Sequence, residues 1–99
     1  MSSAKKSGGK NAMRREFVVS NKLGIHARPA ALFVKATNRF TCNILVSKDD
    51  EEVNGKSIMG LMMLAAGPGS TLVVNCEGED CQEALEAIDA LIKRKFDEE

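Results

Sequence analysis

The chain contains a single histidine, His26, in the run Gly24-Ile25-His26-Ala27-Arg28-Pro29-Ala30. A lone histidine is most often a surface or capping residue, and that plain role is the default until its surroundings argue otherwise. Three surroundings do. The residues after it predict a helix, and a helix opening presents unpaired N–H groups and the positive end of the dipole, a setting that stabilises a phosphate. The same field disfavours a protonated ring, and a neutral imidazole is the nucleophile that attack on a phosphoryl donor requires. Arg28 offers directional hydrogen bonds to phosphoryl oxygens, against the plainer role of a solvated arginine. Pro29 fixes φ in the first turn, as it also does in helices with no function.

Other chemistries are harder to assemble. No carboxylate lies within several residues of His26 and there is no second histidine, which argues against a hydrolytic triad or a histidine-based zinc site. Gly55-Lys56-Ser57 looks like the end of a nucleotide-binding P-loop, but that loop needs glycine where Asp50 stands. Gly67-Pro68-Gly69 reads as a turn. Cys42, Cys76 and Cys81 are odd in number and lack CxxC spacing, so they are expected to be reduced structural thiols. No metal and no cofactor are expected.

The elements that must position His26 follow from periodicity. Phe17, Val18 and Val19 predict a strand, and Ser20 to Gly24 a loop that leads into His26. Ala30, Phe33, Val34 and Thr37 recur at helical spacing, with Phe40 closing that face. Cys42, Ile44 and Val46 alternate with Asn43, Leu45 and Ser47, and Asp49 to Glu52 make a charged turn into Val53, giving a hairpin. Ser57 to Leu64 predicts a short helix, ended by Gly67-Pro68-Gly69. Thr71 to Cys76 alternates again. Asp80, with Glu83 three residues later, predicts a capping box for a last helix whose apolar stripe runs from Ala84 to Phe96. Lys93, Arg94 and Lys95 fall in its final turns, where cations suit the dipole.

The order βαββαβα implies an α+β fold: a four-stranded antiparallel sheet with helices on one face and water on the other. At 99 residues the chain has room for one domain. Residues 1–14 are rich in Ser, Gly and Lys without apolar periodicity and are expected to be a disordered basic tail, leaving 15–99 as the domain. Met13 is itself placed to begin a complete domain. The first fifteen residues hold five basic side chains and no acid; after them nine basic residues face fourteen acids. An acidic domain with four Phe and no Trp or Tyr is a poor nucleic-acid binder. No apolar run approaches the roughly 18 residues of a membrane span, and no apolar segment follows the basic N-terminus, so a cytoplasmic location is expected.

From about Glu16 to Phe96 the chain resembles the histidine-containing phosphocarrier HPr, and its nitrogen-branch relative, of the phosphoenolpyruvate-dependent phosphotransferase system. The resemblance rests on the His26 motif, on Lys56-Ser57-Ile58-Met59-Gly60-Leu61-Met62, and on the order of elements. It implies an open-faced β-sandwich and a stoichiometric carrier of sugar transport, not an enzyme. His26 would accept phosphate on Nδ1 from enzyme I and pass it to enzyme IIA domains, with Arg28 steadying the group. Asn21-Lys22-Leu23-Gly24 and the acidic Phe96-Asp97-Glu98-Glu99 end are similar to the nitrogen branch, whereas Lys56 to Gly60 is similar to the sugar branch.

Ser57 is a sound helix N-cap with no regulation required. The resemblance also makes it the candidate target of an HPr kinase/phosphorylase, its phosphate placed beside a docking patch of Ile58, Met59 and Met62. For Ile58 and Met62, core and docking roles weigh equally. Lys22, Arg28, Lys35 and Arg39 are expected to ring the His26 side and steer acidic partners, or simply to be solvated. The expected working form is a monomer. A regulatory binding protein of the same fold, acting on partners without phosphotransfer as its main role, is the alternative.

Overall fold

Alternating side chains build the sheet in the computed structural model, which describes residues 11–98. The elements are β1 (Ala12–Val18), α1 (Ala27–Thr37), β2 (Asn43–Lys48), β3 (Glu51–Asn54), α2 (Ile58–Met63), β4 (Thr71–Glu77) and α3 (Cys81–Lys93). All pairings are antiparallel, in the order β1-β4-β2-β3. Phe17, Ile44, Val46, Leu72, Val74 and Cys76 point to one face and are buried, while Val18 and Leu45 are exposed on the other. The inner face meets the apolar stripes of α1 and α3, with Ala30, Phe33, Leu85 and Ile88 fully enclosed. The expected open-faced sandwich is therefore the observed fold.

Four details differ from the periodic reading. β1 begins at Ala12, so residues 12–14 belong to the sheet: Ala12 pairs with Glu77 and Arg14 with Asn75. Periodicity misses them because Ala12, Met13 and Arg14 all remain exposed at a sheet edge. The expected tail over residues 1–10 lies outside the described residues. The hairpin turn is only Asp49-Asp50, since Lys48 already pairs with Glu51.

The capping box at α3 does not form. Asp80 occupies the N-cap position without capping. Its carboxylate instead accepts from the amides of Thr41 (2.8 Å) and Cys42 (2.9 Å), tying the α1–β2 connection to the start of α3. These bonds, the Thr41 amide foremost, hold the Asp80 carboxyl below the ordinary carboxylate range.

The last helix is also shorter than its stripe. α3 ends at Lys93, and Lys95, Phe96 and Asp97 all take left-handed backbone with φ of 55°, 56° and 57°. That conformation costs roughly 1–2 kcal/mol per L-residue. Phe96 is completely buried, which anchors the turn, and the Asp97 and Glu98 amides donate to the carbonyls of Arg94 and Lys95. The end of α3 already lies against the loop before His26, where Ser20 Oγ donates to the Ile92 carbonyl at 3.4 Å, and the turn sets Glu98 beside His26. Among the described residues, no helix is long and apolar enough to cross a membrane.

Candidate functional site

The loop before His26 is held by backbone geometry. Gly24 adopts φ +75°, and a Cβ there would collide with the Ala66 carbonyl and lie 2.8 Å from the Gly67 Cα. Only glycine lets the loop come this close to the segment after α2. The Ile25 amide then donates to the Ala66 carbonyl at 2.8 Å, and Ile25 is buried. Asn21, buried despite being polar, donates through Nδ2 to the Gly24 carbonyl at 2.8 Å.

His26 follows as the N-cap residue of α1, with extended backbone (φ −89°, ψ −165°) and a carbonyl that accepts from Ala30. Its side chain makes no capping bond. The ring is 39% exposed. Its Nε2 lies 2.9 Å from Oε2 of Glu98, and Glu98 Oε1 takes a second bond from Asn21 Nδ2, also at 2.9 Å. One buried amide thus holds both the loop and the carboxylate. The Asn21 bond first, then the His26 bond and the charges of His26 and Arg28, keep the Glu98 carboxyl below its ordinary range.

This contact decides the chemistry of the ring. An ionised carboxylate only accepts, so Nε2 must carry the hydrogen. In a neutral imidazole the lone pair then belongs to Nδ1. Arg28, in the first turn and exposed, adds a cation on the same side. In a neutral ring this arrangement leaves Nδ1 without a hydrogen, with Glu98 holding the Nε2 hydrogen and the exposed Arg28 guanidinium in the first turn of α1.

Glu98 and Asn21 are the site residues that spacing misses. The acidic C-terminal run is visible in the sequence, but nothing in it signals three successive left-handed residues. Lys22 stands exposed in the loop before His26, next to an exposed Leu23. Lys35 does not join the expected ring of cations: it lies in the last turn of α1, about 12 Å along the axis from Ala27. With Arg39 and Arg94 it lines a groove between α1 and α3. Arg39 itself stacks over Phe40, 5.2 Å from the ring centre.

Ser57 caps α2, its Oγ accepting from the Gly60 amide at 2.9 Å. Ile58, Met59 and Met62 are 41%, 72% and 43% exposed, and Met63 is exposed as well. Leu61 and Leu64 carry the core contact of α2 instead. The balance between core and docking roles for Ile58 and Met62 therefore falls towards an open apolar patch. A patch of several adjacent apolar side chains is what interaction sites leave uncovered.

A one-sided helical cover on an antiparallel sheet, with a half-exposed histidine at a helix opening, defines a class of small histidine phosphocarriers. The family model described as "PTS HPr component phosphorylation site" matches residues 13–94, and the chain belongs to the HPr family. It is 52% identical over 83 residues to the HPr-like protein Crh of Halalkalibacterium halodurans, covering 84% of this chain and 99% of that one. It is 52% identical over 81 residues to the phosphocarrier protein HPr of Treponema pallidum, covering 82% and 92%. A crystal structure of HPr from Thermoanaerobacter tengcongensis superimposes with a TM-score of 0.84 at 45% identity, covering 88% of this chain and 98% of that one. A dimer of HPr from the same organism aligns with a TM-score of 0.69 at 46% identity, covering 81% and 92%.

Proposed function

We propose that this protein is a cytoplasmic phosphoryl carrier that takes phosphate on Nδ1 of His26 from enzyme I and donates it to enzyme IIA domains. The observation that supports the reading is the Nε2–Glu98 contact, which in a neutral ring favours the tautomer with its lone pair on Nδ1, on a half-exposed side chain at the start of α1. In the transfer the Nδ1–P bond forms as the bond between phosphorus and the donor breaks, and the donor atom leaves with its electron pair. The Nε2 hydrogen stays on the ring, shared with Glu98. Arg28 then contributes charge-assisted hydrogen bonds to the phosphoryl oxygens, worth roughly 1.5–3 kcal/mol each. The carrier is stoichiometric and acts as a monomer, docking partners through Lys22 and the Ile58, Met59 and Met62 patch.

Incubation with phosphoenolpyruvate and enzyme I, followed by intact mass measurement, is expected to add one acid-labile phosphoryl group. His26→Ala should abolish it and Arg28→Ala should shorten its lifetime. No addition, or the same addition in His26→Ala, overturns the reading.

A second reading draws on Ser57, half-buried at the α2 N-cap and directly before the exposed patch. Here the protein acts mainly by binding regulatory partners, and phosphorylation of Ser57 by an HPr kinase/phosphorylase sets a near-dianion at the edge of an apolar docking surface. Retained partner output in His26→Ala with loss in Ser57→Asp favours this reading; the reverse pattern favours phosphotransfer.

A further inference from the structure

Away from His26, beyond the other end of α1, the fold brings the three cysteines together. Cys42 precedes β2, Cys76 lies near the end of β4 and Cys81 opens α3, and their Sγ atoms all lie within 4.8 Å of one another. All three are free thiols and buried. We propose that this triangle is a soft-metal site that takes one Cu(I) ion in three-coordinate sulfur geometry. The inference stands on the cysteines alone and does not depend on the phosphoryl reading.

Size, donor type and donor number each support it. A metal with bonds of about 2.3 Å at the centre of three thiolates sets the sulfurs roughly 4 Å apart, so side-chain adjustments of under about 1 Å close the site. Thiolates select soft ions such as Cu(I) over ions that prefer oxygen. Structural zinc also takes thiolates but wants four ligands, and among the described residues no fourth Cys, His, Asp or Glu ligand atom joins the three sulfurs. Asp80 is the adjacent carboxylate, and its oxygens accept from the amides of Thr41 and Cys42 and from the Thr41 hydroxyl, which ties it to the α1–β2 connection. The one histidine belongs to the opposite end of α1.

Without a metal these thiols stay protonated: burial pushes Cys42 up to about 12 and Cys76 up to about 11, and raises Cys81 as well. The Cys81 thiol donates to the Asn11 carbonyl at 2.9 Å. Each Cu–thiolate bond replaces one S–H and releases one proton, and the copper keeps its oxidation state. The single charge of Cu(I) compensates one of the three thiolates, and the N-terminal end of α3 favours negative charge on Cys81.

The test is anaerobic titration of the reduced full-length protein with Cu(I) against a chromophoric Cu(I) chelator, followed by X-ray absorption on the loaded, unmodified protein. Expected are one retained ion per chain and three sulfur scatterers at about 2.3 Å. Cys76→Ser and Cys81→Ala should each weaken retention by more than the roughly 10–100-fold typical of an outer-shell change, while Met59→Leu should leave it unchanged. The absorption measurement answers the question even if a core cysteine variant fails to fold. Loss of all copper to the chelator, coordination that includes nitrogen, or retention unaltered in both cysteine variants overturns the proposal.

Discussion

Replacing Gly24 with alanine tests the link between backbone geometry and the site, because Gly67, on the other side of the same contact, provides its own control. At Gly24 the new Cβ meets backbone on the Ala66–Gly67 segment and sits at φ +75°, whereas at Gly67 a Cβ meets nothing within 4 Å. Left-handed backbone costs an L-residue roughly 1–2 kcal/mol. Moving the loop to relieve the clash sacrifices the Ile25–Ala66 hydrogen bond, about 1 kcal/mol. Reduced freedom of the unfolded chain offsets roughly 0.4–1 kcal/mol of this. The net loss is about 2 kcal/mol for Gly24→Ala, and Gly67→Ala is neutral or slightly stabilising. In urea the Gly24→Ala midpoint should fall by roughly 1–2 M. Phosphorylation by enzyme I should slow in the same variant, since Ile25 and His26 move with the loop, and should be normal in Gly67→Ala. Coincident midpoints for the two variants would refute the argument that this close approach sets the loop.

Three further outcomes are expected. Phe96→Ala removes the anchor of the left-handed turn and should cost roughly 3–5 kcal/mol in chemical denaturation, while nitrogen-15 NMR of His26 shows a mixture of tautomers as Glu98 is released; a loss under about 1 kcal/mol counts against the anchor. Met59→Ser, at a position 72% exposed, should change stability by no more than about 0.5 kcal/mol yet weaken calorimetric binding to enzyme I measurably. Asp80→Asn tests pH dependence. The folded state depresses this carboxyl, so its stabilisation is complete above the ordinary value of 3.8 and is lost as pH falls through the depressed one. The gap in thermal midpoint between wild type and variant should therefore be open at pH 7 and close in acid, and a gap that widens in acid contradicts the assignment.

The parts of the molecule legible in the sequence are those governed by local rules. Alternation at Ile44, Val46, Leu72 and Val74 marks strands because a sheet buries one side of every strand. The stripe through Ala84, Leu85 and Ile88 marks α3 because a helix returns to the same face each turn. His26, Arg28 and Pro29 are readable as a site because they fall within one helical turn of each other. Local rules misjudge Asp80, which is correctly placed for an N-cap but spends its carboxylate on the amides of Thr41 and Cys42 from another part of the chain. They misjudge Phe96 in the same way, since its place in the apolar stripe says that it is buried but not that the helix stops short of it.

Periodicity and composition by themselves determined the βαββαβα order, the one-sided core and the histidine at the head of a helix. Tertiary structure alone decided that Glu98 would reach Nε2 of His26, that Ile58 and Met62 would face outward, and that three scattered cysteines would meet. Each of these depends on contacts between residues far apart in the chain, whose distances are fixed only when the sheet and helices pack. Nearest-neighbour patterns carry the energy of an element, whereas the chemistry of a site depends on where several elements end.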